Sequence, residues 1–135
     1  TPFDGAEYDY YTTTKGVLEK VKAHVGDVDF AVQPELVSLL SSRNFGRYAD
    51  EKGEMKVCFI SNNDITGGNS GSAMFNSKGE LLGLAFDGNW EAMSSDILYE
   101  PKMQRTIGVD VRYILFMIEK YGKAGNLIKE LNIIN

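Results

Sequence analysis

The chain has 135 residues, 43% hydrophobic and 24% charged, an ordinary composition for one soluble globular domain with its own core. Its net charge of −5 argues against nucleic acid and anionic membrane as partners, and no apolar run approaches the roughly 18 residues of a membrane span. The single cysteine excludes an internal disulfide. One cysteine and one histidine together cannot build an ordinary zinc site, so we expect neither a metal nor a cofactor.

Residues 7–22 begin with a predicted strand. The alternation of side chains from Tyr8 to Thr12 is typical of a strand. Residues 17–22 suit either a strand or a helix, and we favour a strand because residues 12–16 read as a turn.

The next segment predicts one helix and one strand. Pro34 suits the first turn of a helix that ends before Gly46 and carries its leucines on one face. Residues 47–54 are charged and predict a loop. Residues 55–60 predict a short apolar strand, in which Cys58 is expected to be a buried structural thiol.

A glycine-rich turn over residues 64–72 is the strongest chemical signal. Ser70 lies between apolar strand candidates, and the residues around it are small or permissive: Gly67, Gly68, Asn69 and Gly71. A serine nucleophile needs an exposed hydroxyl and free amides that face a developing oxyanion, and such a turn can supply both. From this string alone a plain surface turn remains the commoner alternative. A phosphate loop and a hydrolase-type nucleophile elbow are disfavoured because no lysine or helix follows.

The turn leads into a predicted hairpin. Residues 73–75 pair with residues 80–86 across a polar connector that ends in Gly79. The second strand ends at Asp87, and residues 89–105 are predicted to be irregular.

The C-terminal part is predicted to be helical. Asp110 suits an N-cap, apolar residues then recur at helical spacing up to Gly122, and a short helix spans residues 127–131. The predicted fold class is therefore mainly β with C-terminal helices.

His24 is the only imidazole in the chain. It follows a strand candidate and precedes a polar turn, and no acidic residue is singled out as its partner. We interpret it as an exposed loop residue and not as the general base.

Residues 63–72 resemble the nucleophile loop of the bacterial dipeptidyl-peptidase VII and XI family. Residues 83–94 are also similar, as are three shorter segments over residues 1–5, 104–107 and 109–113. The resemblance implies a serine exopeptidase of chymotrypsin-like double-barrel fold that removes dipeptides from peptides with a free N-terminus. This chain would hold the second barrel over about residues 1–108 and helices over about residues 109–135.

In this family the catalytic histidine and aspartate come from upstream, so the resemblance implies a C-terminal fragment that depends on the upstream part of the same polypeptide. The start at Thr1, without methionine or signal peptide, agrees with a processed or excised chain. We further expect a periplasmic or secreted location and a homodimer.

Four residues carry over to a site. Ser70 would be the nucleophile, with the amides of Gly68 and Ser70 as the oxyanion hole. Asp87 would bind the substrate's terminal ammonium. Gly88 would line the pocket for the second substrate residue; acidic-specific relatives have arginine there, so glycine implies an apolar preference and the type VII branch.

One departure from the family pattern, the role of one acidic residue and two alternative functions remain open. Ala73 stands where the family has proline, which should relax the backbone without loss of chemistry. Asp64, six residues before Ser70, could suggest a trypsin-like pocket, but we favour a structural role. The alternatives are a glutamyl-endopeptidase-like protease and a non-catalytic binding domain with a protease fold.

Overall fold

The computed structural model describes Gly5, residues 7–94 and residues 100–134, with only the backbone of residues 93 and 94. The strands are β1 Tyr11–Thr13, β2 Lys56–Ser61, β3 Ala73–Phe75, β4 Leu81–Gly88 and β5 Thr106–Asp110. The α-helices are α1 Thr14–Ala23, α2 Pro34–Ser41, α3 Val111–Phe116 and α4 Gly125–Ile128. Shorter helical turns cover Val28–Phe30, Gly46–Tyr48, Trp90–Ser94 and Met117–Tyr121. No helix in these ranges has the length and apolar character of a membrane span.

The strands form one antiparallel sheet in the order β1-β2-β5-β4-β3. The predicted strand at residues 55–60 and the predicted hairpin are confirmed as β2 and β3–β4. The middle strand, β5, was not predicted. Its Gly108 lies opposite both Phe59 and Ala85, and a central glycine lowers the strand signal of so short a segment.

Residues 17–22 lie in α1, so the strand predicted there is wrong. The strand predicted at the start of residues 7–22 is present only as the short β1. The amide of Thr14 donates to the carbonyl of Met55 at 3.1 Å, which starts the helix where a turn was expected. Val17 and Leu18 then pack against the core, and this burial outweighs the cost of about 1 kcal/mol for a glycine inside a helix.

The core lies where α2, the Gly46–Tyr48 turn and α3 meet. Its buried side chains are Leu40, Phe45, Tyr48, Met55 and Phe116. The Phe116 ring contacts Phe45 and Tyr48 edge to face, with centroids 5.8 and 6.1 Å apart. The helix predicted at Pro34 is confirmed as α2. The charged loop predicted over residues 47–54 is wrong at its start, because Tyr48 is only 2% exposed.

The C-terminal helix begins as predicted. Asp110 is buried at the end of β5, and its Oδ1 accepts from the amide of Arg112 at 2.9 Å. The Arg112 guanidinium also donates to this carboxylate, which raises the pKa of Arg112. The helix continues through a π-turn to Tyr121, where the Gly122 amide donates to the carbonyl of Met117 at 2.7 Å.

Two glycines let an aromatic ring lie on the sheet beside the hairpin. A methyl group on Gly83 would lie 2.1 Å from the carbonyl oxygen of Val109 and 2.9 Å from the ring of Phe59. A methyl on Gly108 would lie 2.6 Å from the sulfur of Met74. The sheet therefore excludes a Cβ at Gly83, since the neighbouring strand's backbone cannot give way as a side chain can.

Gly83→Ala is expected to lower the free energy of unfolding by about 3 kcal/mol or more, because β4 and β5 must separate to admit the methyl. Urea titration of the purified protein measures this. The matched control is Gly16→Ala within α1, where a methyl meets no atom within 4 Å. That change should raise stability by about 0.5–1 kcal/mol. Equal midpoints for the two variants would contradict the predicted packing.

The buried Tyr48 hydroxyl donates to the carboxylate of Glu119. Burial, followed by this hydrogen bond, raises the pKa of Tyr48 to about 12. The same bond, followed by that from Lys120, lowers the pKa of Glu119. A carboxyl whose pKa is depressed by folding stabilises the protein above its ordinary value of 4.5, and this contribution is lost as the pH falls through the lowered value.

Tyr48→Phe is therefore expected to cost about 1–2 kcal/mol at pH 7, because a hydrogen bond to a charged group is removed. The gap between the two proteins should shrink as the pH falls below 4.5 and the Glu119 carboxylate takes up a proton. Unfolding midpoints of both proteins between pH 7 and 3 measure this gap. A gap independent of pH would contradict the assignment of this stabilisation to the bond with the Glu119 carboxylate.

Candidate active site

The turn before β3 is braced by one side chain. Asn69 Oδ1 accepts from the amide of Thr66 at 2.8 Å, and the Asn69 amide donates back to the Thr66 carbonyl at 3.2 Å. The carbonyl of Asn69 accepts from the amide of Ser72 at 2.9 Å. Gly68 and Gly71 adopt φ values of +95° and +87°, which glycine tolerates best. The turn thus has a fixed shape.

The same turn is docked on β4. The amide of Gly71 donates to the carbonyl of Ala85 at 2.7 Å, and the amide of Ala85 donates to the carbonyl of Ser72 at 2.9 Å. Just beyond, Phe86 forms a β-bulge, since Ala85 and Asp87 face successive residues of β5. The exposed hydroxyl of Ser70 donates to the carbonyl of Phe86 at 3.4 Å. Bulges often adjoin active sites, where they redirect a side chain.

The amides of the turn divide into two groups. Those of Asn69, Gly71 and Ser72 donate to backbone carbonyls. Those of Gly68 and Ser70, together with that of Gly67, donate to no group in the part of the chain that the structure describes. Gly68 and Ser70 are both exposed, so their amides are available to an acceptor from outside.

Asp87 and Gly88 follow the bulge at the end of β4. Asp87 is exposed, and its Oδ1 accepts from the amide of Gly88 at 2.8 Å. Ser70 bonds to the residue just before Asp87, so the hydroxyl and the carboxylate lie at the same end of one strand. The structure therefore brings together Ser70, Gly68, Asp87 and Gly88, and their roles stay predictions.

His24 lies at the end of the helix that follows the edge strand farthest from the Ser70 turn. It is the C-cap of α1, it is exposed, and its ring stacks on Phe30 with centroids 4.1 Å apart. Helix α1 follows directly from the edge strand β1, which lies three strand spacings from β4, about 14 Å. The expected exposed position is confirmed. The Ser70 hydroxyl donates to the carbonyl of Phe86 and not to His24, which is the only histidine of the chain.

The sequence model of the family described as "Peptidase S46" matches residues 1–133. This chain belongs to the peptidase S46 family. The expected resemblance to dipeptidyl-peptidases is thereby confirmed at the level of the family. Among the described residues, no group of three or more histidine, cysteine, aspartate or glutamate side chains could hold a metal ion.

Its named relatives are dipeptidyl-peptidases of two kinds. Dipeptidyl-peptidase 7 of Porphyromonas endodontalis is 60% identical over 98% of this chain and 16% of the relative. Dipeptidyl-peptidase 7 of Porphyromonas gingivalis is 58% identical over 98% of this chain and 18% of the relative. The Asp/Glu-specific dipeptidyl-peptidase of Capnocytophaga gingivalis is 46% identical over 99% of this chain and 18% of the relative. The chain thus spans less than a fifth of these proteins' length.

The fold is also that of an S46 peptidase. The crystal structure of Porphyromonas endodontalis DPP11 in complex with the dipeptide Arg-Glu superposes with a TM-score of 0.90 at 42% identity. The match covers 96% of this chain and 18% of that one. The predicted class of mainly antiparallel sheet with C-terminal helices is thereby confirmed.

Gly88 faces a neighbour that sequence reasoning missed. A methyl group on Gly88 would lie 2.9 Å from the Cβ of Ala92, so a side chain fits there only if the Trp90–Ser94 turn moves. The φ of Gly88 is not positive, so the backbone alone does not demand glycine. In this S46 chain, the space before Gly88 is bounded by Ala92.

Asn89 was also missed, although it joins the two ends of the segment predicted to be irregular. Its Nδ2 donates to the carbonyl of Met103 at 2.8 Å and to a carboxylate oxygen of Glu91 at 2.7 Å, and its Oδ1 accepts from the amide of Arg105 at 2.7 Å. Residues 95–99 of that segment lie outside the described residues. The only local signal for these contacts was the asparagine itself. Its role could not be predicted because its partners lie up to 16 residues away in the sequence.

Asp64 and Ala73, singled out from the sequence, lie on either side of the turn. Asp64 is exposed and lines a small cavity together with Ile65 and Ala92. Ala73 starts β3 opposite Leu84, so the extended backbone expected without proline is confirmed.

Proposed function

We propose that this chain carries the nucleophile of a serine dipeptidyl-peptidase. The supporting observation is the pairing of an exposed Ser70 hydroxyl with unengaged amides at Gly68 and Ser70, in a turn where the amides of Asn69, Gly71 and Ser72 are bonded to backbone carbonyls. Amides held in this way can stabilise an oxyanion without rearranging, and one such donor is worth about 100-fold or more in rate.

In the proposed mechanism, Ser70 Oγ bonds to the carbonyl carbon of the second substrate residue while its proton passes to a base. The peptide C–N bond then breaks, and the base returns the proton to the departing amine. Water hydrolyses the acyl-enzyme by the same route. Because the helix that ends at His24 follows the edge strand farthest from the Ser70 turn, we assign the base and its carboxylate partner to an upstream part of the same polypeptide, in a chymotrypsin-like double barrel.

Asp87 would bind the amino end of the substrate and so fix which peptide bond reaches Ser70. A terminal ammonium on Asp87 and a scissile carbonyl at Ser70 are two extended residues apart, about 7 Å. The Ser70 hydroxyl bonds to the carbonyl of Phe86, the residue directly before Asp87, and this neighbourhood supports the assignment. A charge-assisted hydrogen bond to the ammonium would therefore favour release of dipeptides.

The substrate preference that we propose is an apolar second residue, as in the type VII branch. It is supported by the uncharged Gly88 and by greater identity to the dipeptidyl-peptidases 7, 60% and 58%, than to the Asp/Glu-specific relative, 46%. We also propose a periplasmic or secreted location, which rests on the family resemblance, and the homodimer stays a prediction.

The test uses the complete polypeptide and matched peptides with methionine or glutamate as second residue, each with a free or acetylated N-terminus. Release of a dipeptide from the free methionine peptide, with at least about 100-fold slower cleavage of its acetylated form, is expected. Cleavage after glutamate in acetylated peptides would instead identify a glutamyl endopeptidase. No cleavage of any peptide would favour a binding domain.

A further inference from the structure

The first observation concerns the position of Ala92. Its Cβ lies 2.9 Å from the place where a Cβ on Gly88 would be, so its methyl group closes the space before Gly88. The absence of a side chain at Gly88 therefore leaves less space for a substrate side chain than glycine alone would suggest.

The second observation is that the same residue also lines a small cavity. The cavity has a volume of about 10 Å³ and is lined by Ala92 together with Asp64, Ile65 and Thr106. It holds no more than one water molecule. Ala92 thus borders both this cavity and the space at Gly88.

The third observation is that Ala92 is held firmly. Its amide donates to the carbonyl of Asn89 at 2.9 Å, and the Asn89 amide donates to the carbonyl of Arg105 at 2.9 Å. The Asn89 side chain fixes the turn further through Met103 and Arg105. A wall built on such a turn does not adjust freely to a larger or smaller substrate side chain.

We infer that Ala92 is a specificity-determining residue that sets the depth of the pocket for the second substrate residue. This inference rests on the proposed function, in which that side chain enters the space before Gly88. Removing the methyl joins this space to the cavity and deepens the pocket. Adding methyl groups at the same position makes it shallower.

The test compares Ala92→Gly and Ala92→Val in the complete polypeptide, on free N-terminal dipeptidyl substrates with alanine or phenylalanine as second residue. One methylene in an apolar pocket is worth about 10-fold or more in discrimination. Ala92→Gly is therefore expected to raise the phenylalanine-to-alanine ratio of kcat/KM about 10-fold, and Ala92→Val to lower it by a similar factor.

The ratio is measured within one preparation, so a partly unfolded variant still reports it correctly. The control is Ala31→Gly, the same change at an exposed position between the Val28–Phe30 turn and α2, which should leave the ratio unchanged. Dipeptide release with a ratio that stays within twofold of the parent in both Ala92 variants would overturn the inference and leave the proposed function standing. No dipeptide release by the parent protein would overturn both.

Discussion

Ser70→Ala is expected to lower kcat for dipeptide release by about 10⁴-fold or more, because no other group replaces the atom that bonds to the substrate carbonyl. The folded structure should persist. The hydroxyl is exposed and makes one long hydrogen bond of 3.4 Å to Phe86, so the thermal midpoint should change by no more than an ordinary surface substitution changes it.

The matched control for this variant is Ser72→Ala, two residues along the same turn. Ser72 is exposed, and its bonds to Asn69 and Ala85 are made by its backbone, which alanine preserves. Activity close to the parent is expected. Retention of more than a tenth of the parent kcat in Ser70→Ala would exclude Ser70 as the nucleophile.

Asp87→Asn is expected to lower kcat/KM by about 100-fold or more on peptides with a free N-terminus, because the ammonium loses its charged partner. Asparagine is the same size and keeps an oxygen for the Gly88 amide, so the end of β4 should hold its shape. On acetylated peptides the variant should differ little from the parent. The measured quantity is the ratio of kcat/KM on free to kcat/KM on acetylated peptides, and this ratio should fall.

Asp64→Asn is the control for this second prediction. Asp64 is exposed as well, but it lines the small cavity and not the end of β4. Removing its charge should leave the preference for a free N-terminus intact. An equal fall on free and acetylated peptides in Asp87→Asn would instead assign Asp87 a structural role.

The elements that sequence reasoning found are those fixed by local signals. The hairpin of β3 and β4, the start of α2 at Pro34 and the N-cap at Asp110 each depend on residues within a few positions. β5 could not be found this way, since two strands distant in sequence pair with it and its glycine accommodates the ring of Phe59. Helix α1 was missed because the contacts of Val17 and Leu18 with the core override an ambiguous pattern.

In the candidate site, too, some features follow from local sequence and others from tertiary contacts. The glycines at 68 and 71 predicted a tight turn around Ser70, and both adopt positive φ. The bulge at Phe86, by contrast, depends on the register between β4 and β5. The Asn89 contacts and the Ala92 methyl beside Gly88 depend on segments that meet only after folding. The sequence thus located the residues, and tertiary contacts decide how they face one another.

Covalent labelling shows whether the turn presents Ser70 as a nucleophile beside free amides. The complete polypeptide is treated with a fluorophosphonate, and the modified residue is identified by peptide mass spectrometry. A single adduct on Ser70, lost in Ser70→Ala and kept in Ser72→Ala, is the predicted result. An adduct on another residue, or dipeptide release by a protein that takes up no label, would contradict it.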